Sequence, residues 1–367
     1  MASYGLIIIT GGVVGLLAGH LMFRSDYCMV AMFRDLFLFR QGSMLRFLIL
    51  QLGLTLLLLE LARLGGGLSY DPPPLMKTAN LSSMVGGCVF GFGMVLTGSC
   101  VVGCLYKTGA GNVLGLCALL SMITGATLYA EIAPWWKQLT ASWTLTQQVT
   151  VPGSLGIPSW WISAPLLALW LWGVTFWQRT KKLVVPAHAE GYIQPWKTAA
   201  GLAVLTVVLC IFTGMPIGIT TMYVKMGAWV EQLVLPEHVA ATAYFAGKGL
   251  NYIPPLMDQV VSGGAGPQLD AIAALQLSVI LGILTGAFFS AKRVGEFHWL
   301  YRVPKIHYGM SIVGGVLVGL GARLAPGCNV WHVMGGVPFL AWNSFLFVLG
   351  LLPGVWLGSK FLLLRLS

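Results

Sequence analysis

The chain of 367 residues is 57% hydrophobic and only 9% charged, against roughly 25% charged for an ordinary soluble domain. A mean hydropathy of +0.82 leaves too little polar surface to keep it in water, which excludes a soluble enzyme or binding domain. The net charge of +10 comes without a Lys/Arg run of the kind that holds nucleic acid, so no nucleic-acid partner is expected and a membrane must explain the excess.

A membrane-spanning helix takes about 20 consecutive apolar residues. The chain offers nine such stretches, near 5–23, 44–63, 84–104, 113–133, 163–178, 198–219, 271–291, 306–325 and 337–359. The fold class read from them is an all-α polytopic membrane protein, one transmembrane domain over residues 1–367. The first stretch has no basic residue ahead of it and no small-residue cleavage site, so it reads as a retained span, not a signal peptide. It gives way at Arg24-Ser25-Asp26-Tyr27-Cys28 to a short apolar helix, Met29 to Phe33 before Arg34-Asp35, that cannot cross. Glu60 in the second stretch is an acid well inside a span, and Glu131 lies near the end of the fourth. Either suits a proton-coupled carboxylate or an interface residue. Trp135-Trp136, Trp160-Trp161 and Trp299 with Tyr301 read as interface aromatics. The segment from Met222 to Asp270, rich in Gly, Pro and acids, is expected to pack as short helices over the outer face.

Cations retained on the cytoplasmic side set the orientation. With the N-terminus outside, fifteen cations fall on the inner face: Arg24, Arg34, Arg40, Arg46, Lys107, Arg179, Lys181, Lys182, Lys197, Lys292, Arg293, Arg302, Lys305, Lys360 and Arg365. Five fall outside: Arg63, Lys77, Lys137, Lys225 and Lys248. Asp71, Glu231, Glu237, Asp258 and Asp270 accompany them. The bias predicts an outer N-terminus and an inner C-terminus.

The segments Gly86–Cys100 and Gly314–Cys328 overlay without a gap. Gly86, Gly87, Gly91, Gly93, Leu96 and Cys100 meet Gly314, Gly315, Gly319, Gly321, Leu324 and Cys328, six identities in fifteen. Duplicated halves, about 1–180 and 198–367, follow, as in many secondary transporters. Gly98-Ser99 and Pro326-Gly327 break each helix just before its cysteine. Irregular backbone at membrane depth must be buried in protein or line a cavity, and a broken helix exposes N–H groups that suit an anion. Two readings stay open at Cys100 and Cys328: thiols lining a central path, or small apolar side chains packed at a helix end. Cys28 sits at a similar break. Thr213 to Thr221, interrupted by Gly214, Pro216 and Gly218, is the candidate fourth break, which puts Thr220 or Thr221 in the matching position.

These residues resemble the signatures of the YeeE/YedE sulfur-transport family. Arg24 to Asp35 is similar to the first signature, and Gly86 through Cys100, Gly103, Leu105-Tyr106-Lys107, Gly109 and Gly111-Asn112 to the second. Gly218-Ile219-Thr220 resembles a third and Gly314 to Asn329 the fourth, in order across nearly the whole chain. The resemblance is to the thiosulfate-transporting type. It implies a bacterial inner-membrane transporter, not an enzyme, with nine spans and four short re-entrant helices in an hourglass. It further implies that Cys28, Cys100 and Cys328 line the path and hand thiosulfate along by hydrogen bonds without a cofactor. A cytoplasmic sulfur carrier of the TusA (TsuB) type or a rhodanese is the partner it suggests. A neutral thiol, with a pKa of about 8.5, can hold a soft sulfur anion weakly enough to release it. Transport of selenium or another sulfur species is the near alternative. A membrane sulfurtransferase that forms a cysteine persulfide is the alternative from another class, and it needs an activated thiolate beside Lys, Arg or His.

Lys107 stands where the family often has arginine, which keeps the charge. His332, four residues past Cys328, stands where small residues are usual. It has three readings: anion ligand, proton carrier, or structural histidine, the last being the commoner. Arg24 in the first signature and Arg323 inside a span are auxiliary candidates, since a charge within a span marks a functional site by default. Cys104, one turn past Cys100, is another. Cys88, Cys117 and Cys210 read as packing, and packing is also the favoured reading of Cys104. No disulfide framework or CxxC pair is present. His20, His188, His238, His298 and His307 show no metal-ligand spacing, so no metal is expected. Gly247-Lys248-Gly249 lacks the rest of a phosphate-binding loop.

Overall fold

Lipid offers no hydrogen-bond partner to a peptide group, so apolar stretches satisfy their backbone internally as helices. The computed structural model of the chain describes residues 4–186, 189–247, 249–257 and 259–366. His188, Lys248 and Asp258 lie outside the described residues. In chain order the elements are α1 (Gly5–Ser25), α2 (Met29–Leu38), α3 (Ser43–Leu64), β1 (Ala79–Asn80), α4 (Ser82–Thr97), α5 (Val101–Gly109) and α6 (Val113–Thr140). Then come β2 (Thr144–Thr146), α7 (Val151–Leu155), α8 (Trp160–Arg179), α9 (Pro195–Thr213), α10 (Thr220–Val234), α11 (Pro236–Ala241) and α12 (Ala243–Ala246). The chain closes with β3 (Leu250–Tyr252), β4 (Val261–Gly263), α13 (Ala271–Arg293), α14 (Lys305–Leu324), a wide π-type helix (Val330–Gly336) and α15 (Trp342–Leu366).

Among the described residues, nine helical segments are long and apolar enough to cross a membrane, which makes the protein a multi-pass membrane protein. Helix α8 states the requirement most plainly. It is apolar over most of its length, yet Ser163 is its only buried residue, and such a surface needs lipid. Two expected spans are corrected at their ends. The sixth stops at Thr213 instead of 219, because Gly214 turns left-handed at φ 75° and ends α9. The ninth starts at Trp342 instead of 337, because the wide helix and a turn occupy the residues before it.

Helices in lipid associate through close backbone contact at small residues. Helix α1 lies along α13, where a methyl group on Gly282 would come within 2.7 Å of the Leu16 nitrogen. Helices α4 and α14 cross at their glycines in a reciprocal pattern. A methyl group on Gly93 would sit 2.8 Å from the Gly314 oxygen, and one on Gly321 would sit 2.8 Å from the Gly86 oxygen. The flanking helices repeat the arrangement. Gly87 and Gly91 of α4 face Phe347, Leu351 and Val355 of α15, while Gly315 and Gly319 of α14 face Ala118, Met122 and Ala126 of α6.

The Met222–Asp270 segment holds more than the short helices expected of it. Besides α10, α11 and α12 it contains the antiparallel ribbon of β3 and β4. Lys225 ties it down. Its fully buried ammonium donates to the Gly266 and Gln268 carbonyls and to Asp270 at 2.8–3.0 Å. Asp270 also caps α13 by accepting from the Ala273 N–H.

Candidate functional site

Each of the three predicted cysteines stands where a long helix has ended and a short one begins. Helix α1 ends at Asp26 in the left-handed region, φ 47°, with the Tyr27 N–H donating back to Met22 at 3.0 Å. Cys28 is then extended, and its carbonyl accepts from Met32 at 3.2 Å. Helix α4 ends the same way at Gly98, φ 61°, with the Ser99 N–H donating to Met94. Cys100 caps α5, its sulfur accepting from the Gly103 N–H at 3.4 Å. After α14 the Gly327 N–H donates to Ala322 at 2.8 Å, and the Cys328 carbonyl accepts from His332 at 2.9 Å. All three thiols therefore meet the N-terminal, positive end of a short helix.

The fold also brings the thiols together. Cys28 is 6% exposed, and Cys100 and Cys328 are fully buried. Cys100 lies within electrostatic range of both other thiols, with the Asn329 amide beside it. Cys104 is buried in the same cluster, in range of Cys100 and Cys28, so it is more than remote packing. Around these sulfurs the Tyr223 hydroxyl is buried without a hydrogen-bond partner among the described residues, while Ser99, Tyr106 and Asn329 have buried polar atoms whose nearest partners are the thiols of Cys104, Cys28 and Cys100. Native proteins carry only a few such atoms per 100 residues. Four such polar groups are gathered at this one thiol cluster.

Beside Cys328 opens a cavity of about 80 Å³, room for several waters or one small oxyanion. Its lining includes Lys77, Arg323, Thr220, Thr221, Gly327 and Trp331. Arg323, in the last turn of α14, donates to Thr221 Oγ1 at 3.1 Å and to the Tyr244 hydroxyl at 2.6 Å. These neutral partners leave its positive charge unneutralised. Burial, then the Lys137 and Arg323 charges, hold the Lys77 ammonium below its usual range, the mark of cations gathered without acids. Such a mouth attracts anions.

The remaining predicted residues sort clearly. Thr220 is buried as the first residue of α10, and Thr221 is held by Arg323. Arg24 points away from the thiols, donating to the Gly191 carbonyl at 2.7 Å. His332 is enclosed by its neighbours. Its ring stacks on Phe347 at 4.4 Å, Nε2 lies 2.7 Å from the Ala325 oxygen, and Nδ1 lies 3.1 Å from Ser344 Oγ. Cys210 packs with Leu59, Val207 and Phe339. Glu60 pairs with Arg63, which also holds Asp71, so it serves a clip at the end of α3. His238, read as isolated in the sequence, is brought against two acids, with Nδ1 2.6 Å from Glu231 and Nε2 3.4 Å from Glu131. The three donors are close enough together to hold a metal ion, but both ring nitrogens already meet carboxylates, as an ion-paired clip requires. Tyr106 and Asn329 lay within recognised signatures without being singled out. Tyr223 carried no local signal, because only the fold brings α10 to the thiols.

A family model described as Sulphur transport matches residues 24–357. The chain is 28% identical to the thiosulfate transporter TsuA of Spirochaeta thermophila, over 95% of this chain and 97% of that protein. It is 25% identical to the thiosulfate transporter TsuA of Escherichia coli, over 98% of this chain and 96% of that protein. A shorter match, 33% over 86 residues, covers 23% of this chain and 21% of the probable transporter YedE of Escherichia coli.

Proposed function

The chain belongs to the Sulphur transport family, and from that premise we propose that it carries thiosulfate across the bacterial inner membrane along Cys28, Cys100 and Cys328. The observation that carries the reading is the cluster of buried thiols at three helix breaks, beside a cationic cavity. The anion enters at Lys77 and Arg323, passes Cys328, then Cys100, and leaves past Cys28. Each thiol donates one weak hydrogen bond, and no covalent bond to sulfur forms. The N-terminus lies outside and the C-terminus in the cytoplasm, where a TusA-like carrier or a rhodanese takes the product. Two related halves, 1–180 and 198–367, build the path. The reciprocal glycine contacts support this: Gly86 meets Gly321 while Gly93 meets Gly314, as an approximate two-fold axis between α4 and α14 requires.

The test is growth of a bacterium lacking sulfate uptake on thiosulfate as sole sulfur source. The parent gene should rescue growth, and Cys28→Ala, Cys100→Ala or Cys328→Ala should abolish rescue at equal protein level. A well-expressed parent that fails to rescue would move the substrate to a selenium compound or another sulfur species. Rescue by all three variants would reduce the cysteines to packing.

A further inference from the structure

The three thiols do not fill the polar requirement of their own surroundings. Tyr223 is 1% exposed and Tyr106 is 2% exposed; among the described residues the Tyr223 hydroxyl has no hydrogen-bond partner, and the Tyr106 hydroxyl has only the Cys28 thiol within reach. Their positions complement one another. The Tyr106 hydroxyl lies against Cys28 and within electrostatic range of Asp26 and Cys100, and that of Tyr223 lies within electrostatic range of Cys100, Cys104 and Cys328. Tyr106 is thus associated with Cys28 and Cys100, and Tyr223 with Cys100 and Cys328. They come from helices that follow different breaks, α5 and α10.

A buried hydroxyl left without a partner destabilises a fold, and replacing it by an apolar group of the same shape is close to neutral or stabilising. Burying one phenol without a partner and another with only a thiol, a weak acceptor, opposes stability unless a ligand uses them. A thiol is a weak donor, whereas a phenol O–H is a strong one, and a hydrogen bond to a charged acceptor is worth more than one to a neutral group. We propose that the Tyr106 and Tyr223 hydroxyls donate directly to the anion between successive thiols and supply most of its binding affinity there. The thiols then provide the soft contact at each step, and the phenols provide recognition of a charged oxyanion end. This rests on the thiosulfate reading above and assigns the site donors that the cysteines alone do not supply.

The experiment compares parent, Tyr106→Phe, Tyr223→Phe and the double variant in proteoliposomes. It measures initial thiosulfate uptake against concentration, and Tm of the same preparations without thiosulfate. Phenylalanine keeps the ring, so packing stays intact. The expected result is a rise in KM of about tenfold or more for each variant, the range for a lost hydrogen bond to a charged group, with Tm unchanged or higher. Unchanged KM in both variants while the parent transports thiosulfate would overturn the inference and leave the cysteine path standing. A fall in Tm that accompanies lost uptake would also overturn it, because the hydroxyls would then be structural. A parent that transports no thiosulfate would bring down the underlying reading, and this inference with it.

Discussion

The α4–α14 crossing permits a quantitative test through Gly93→Ala and Gly314→Ala. A methyl group on Gly93 would lie 2.8 Å from the Gly314 oxygen, and one on Gly314 would lie 2.7 Å from the Gly93 oxygen, where ordinary contact begins at 3.4 Å. The helices must therefore separate by 0.6–0.7 Å, the difference of those distances. Overpacking of this kind costs about 2 kcal/mol, and alanine returns about 1 kcal/mol of helix propensity over glycine. Each single variant should lose about 1 kcal/mol. The gap is shared, so one opening admits both methyl groups, and the double variant gains propensity twice against a single strain. It should stand near the parent, about 2 kcal/mol better than the additive sum, a coupling within the range seen for residues in contact. Reversible unfolding in mixed micelles, followed by tryptophan fluorescence, gives the three differences. Additivity to within about 0.5 kcal/mol would refute the shared gap, and with it the reciprocal packing. Uptake should fall in every variant, because Cys100 and Cys328 hang from the ends of these two helices.

The other expectations concern charges outside the crossing. Arg323→Gln removes the guanidinium charge from the cavity and leaves Lys77 there, while amide contacts to Thr221 and Tyr244 remain feasible, so KM for thiosulfate should rise several-fold with little change in maximal rate; an unchanged KM would remove Arg323 from the entrance. Lys225→Met leaves the partly buried Asp270 carboxylate with only the Gly264 and Ala273 N–H donors, which should cost about 1.5–3 kcal/mol, read as a lowered unfolding midpoint, and a wild-type midpoint would contradict the clamp. His238 is held above the usual histidine range, first by its hydrogen bond to Glu231 and then by the Glu131 charge. A raised folded value means that the clip is complete below pH 6.5 and is lost as pH climbs through the folded value. A spin label at Ala240 should gain mobility across that rise, and His238→Gln should abolish the pH dependence.

Much of this architecture is written locally. Apolar length alone marks the spans, because lipid forces each stretch to satisfy its own backbone. The three break-and-cysteine positions are equally legible, since Gly98 and Pro326-Gly327 end helices through backbone chemistry that needs no neighbour. The overlay of Gly86–Cys100 on Gly314–Cys328 is visible for the same reason. Sequence also singled out Arg323 as a candidate, from the cost of a charge in a span, and the fold sets it on the wall of the cavity beside Cys328.

What it could not show was which groups meet. Tyr223 sits more than a hundred residues from Cys100 and Cys328, and nothing near it in the chain announces a role; packing of α10 within the helix bundle brings its hydroxyl within electrostatic range of the sulfurs. The four-residue spacing of His332 from Cys328 left anion ligand, proton carrier and structural histidine open, and only the fold shows that Phe347, Ala325 and Ser344 surround its ring. His238 looked solitary until α11 folded against Glu131 and Glu231. Helix formation and helix breaking depend on interactions a few residues apart. The company a side chain keeps depends on which helices touch, and that is decided by glycine contacts hundreds of residues apart in the chain.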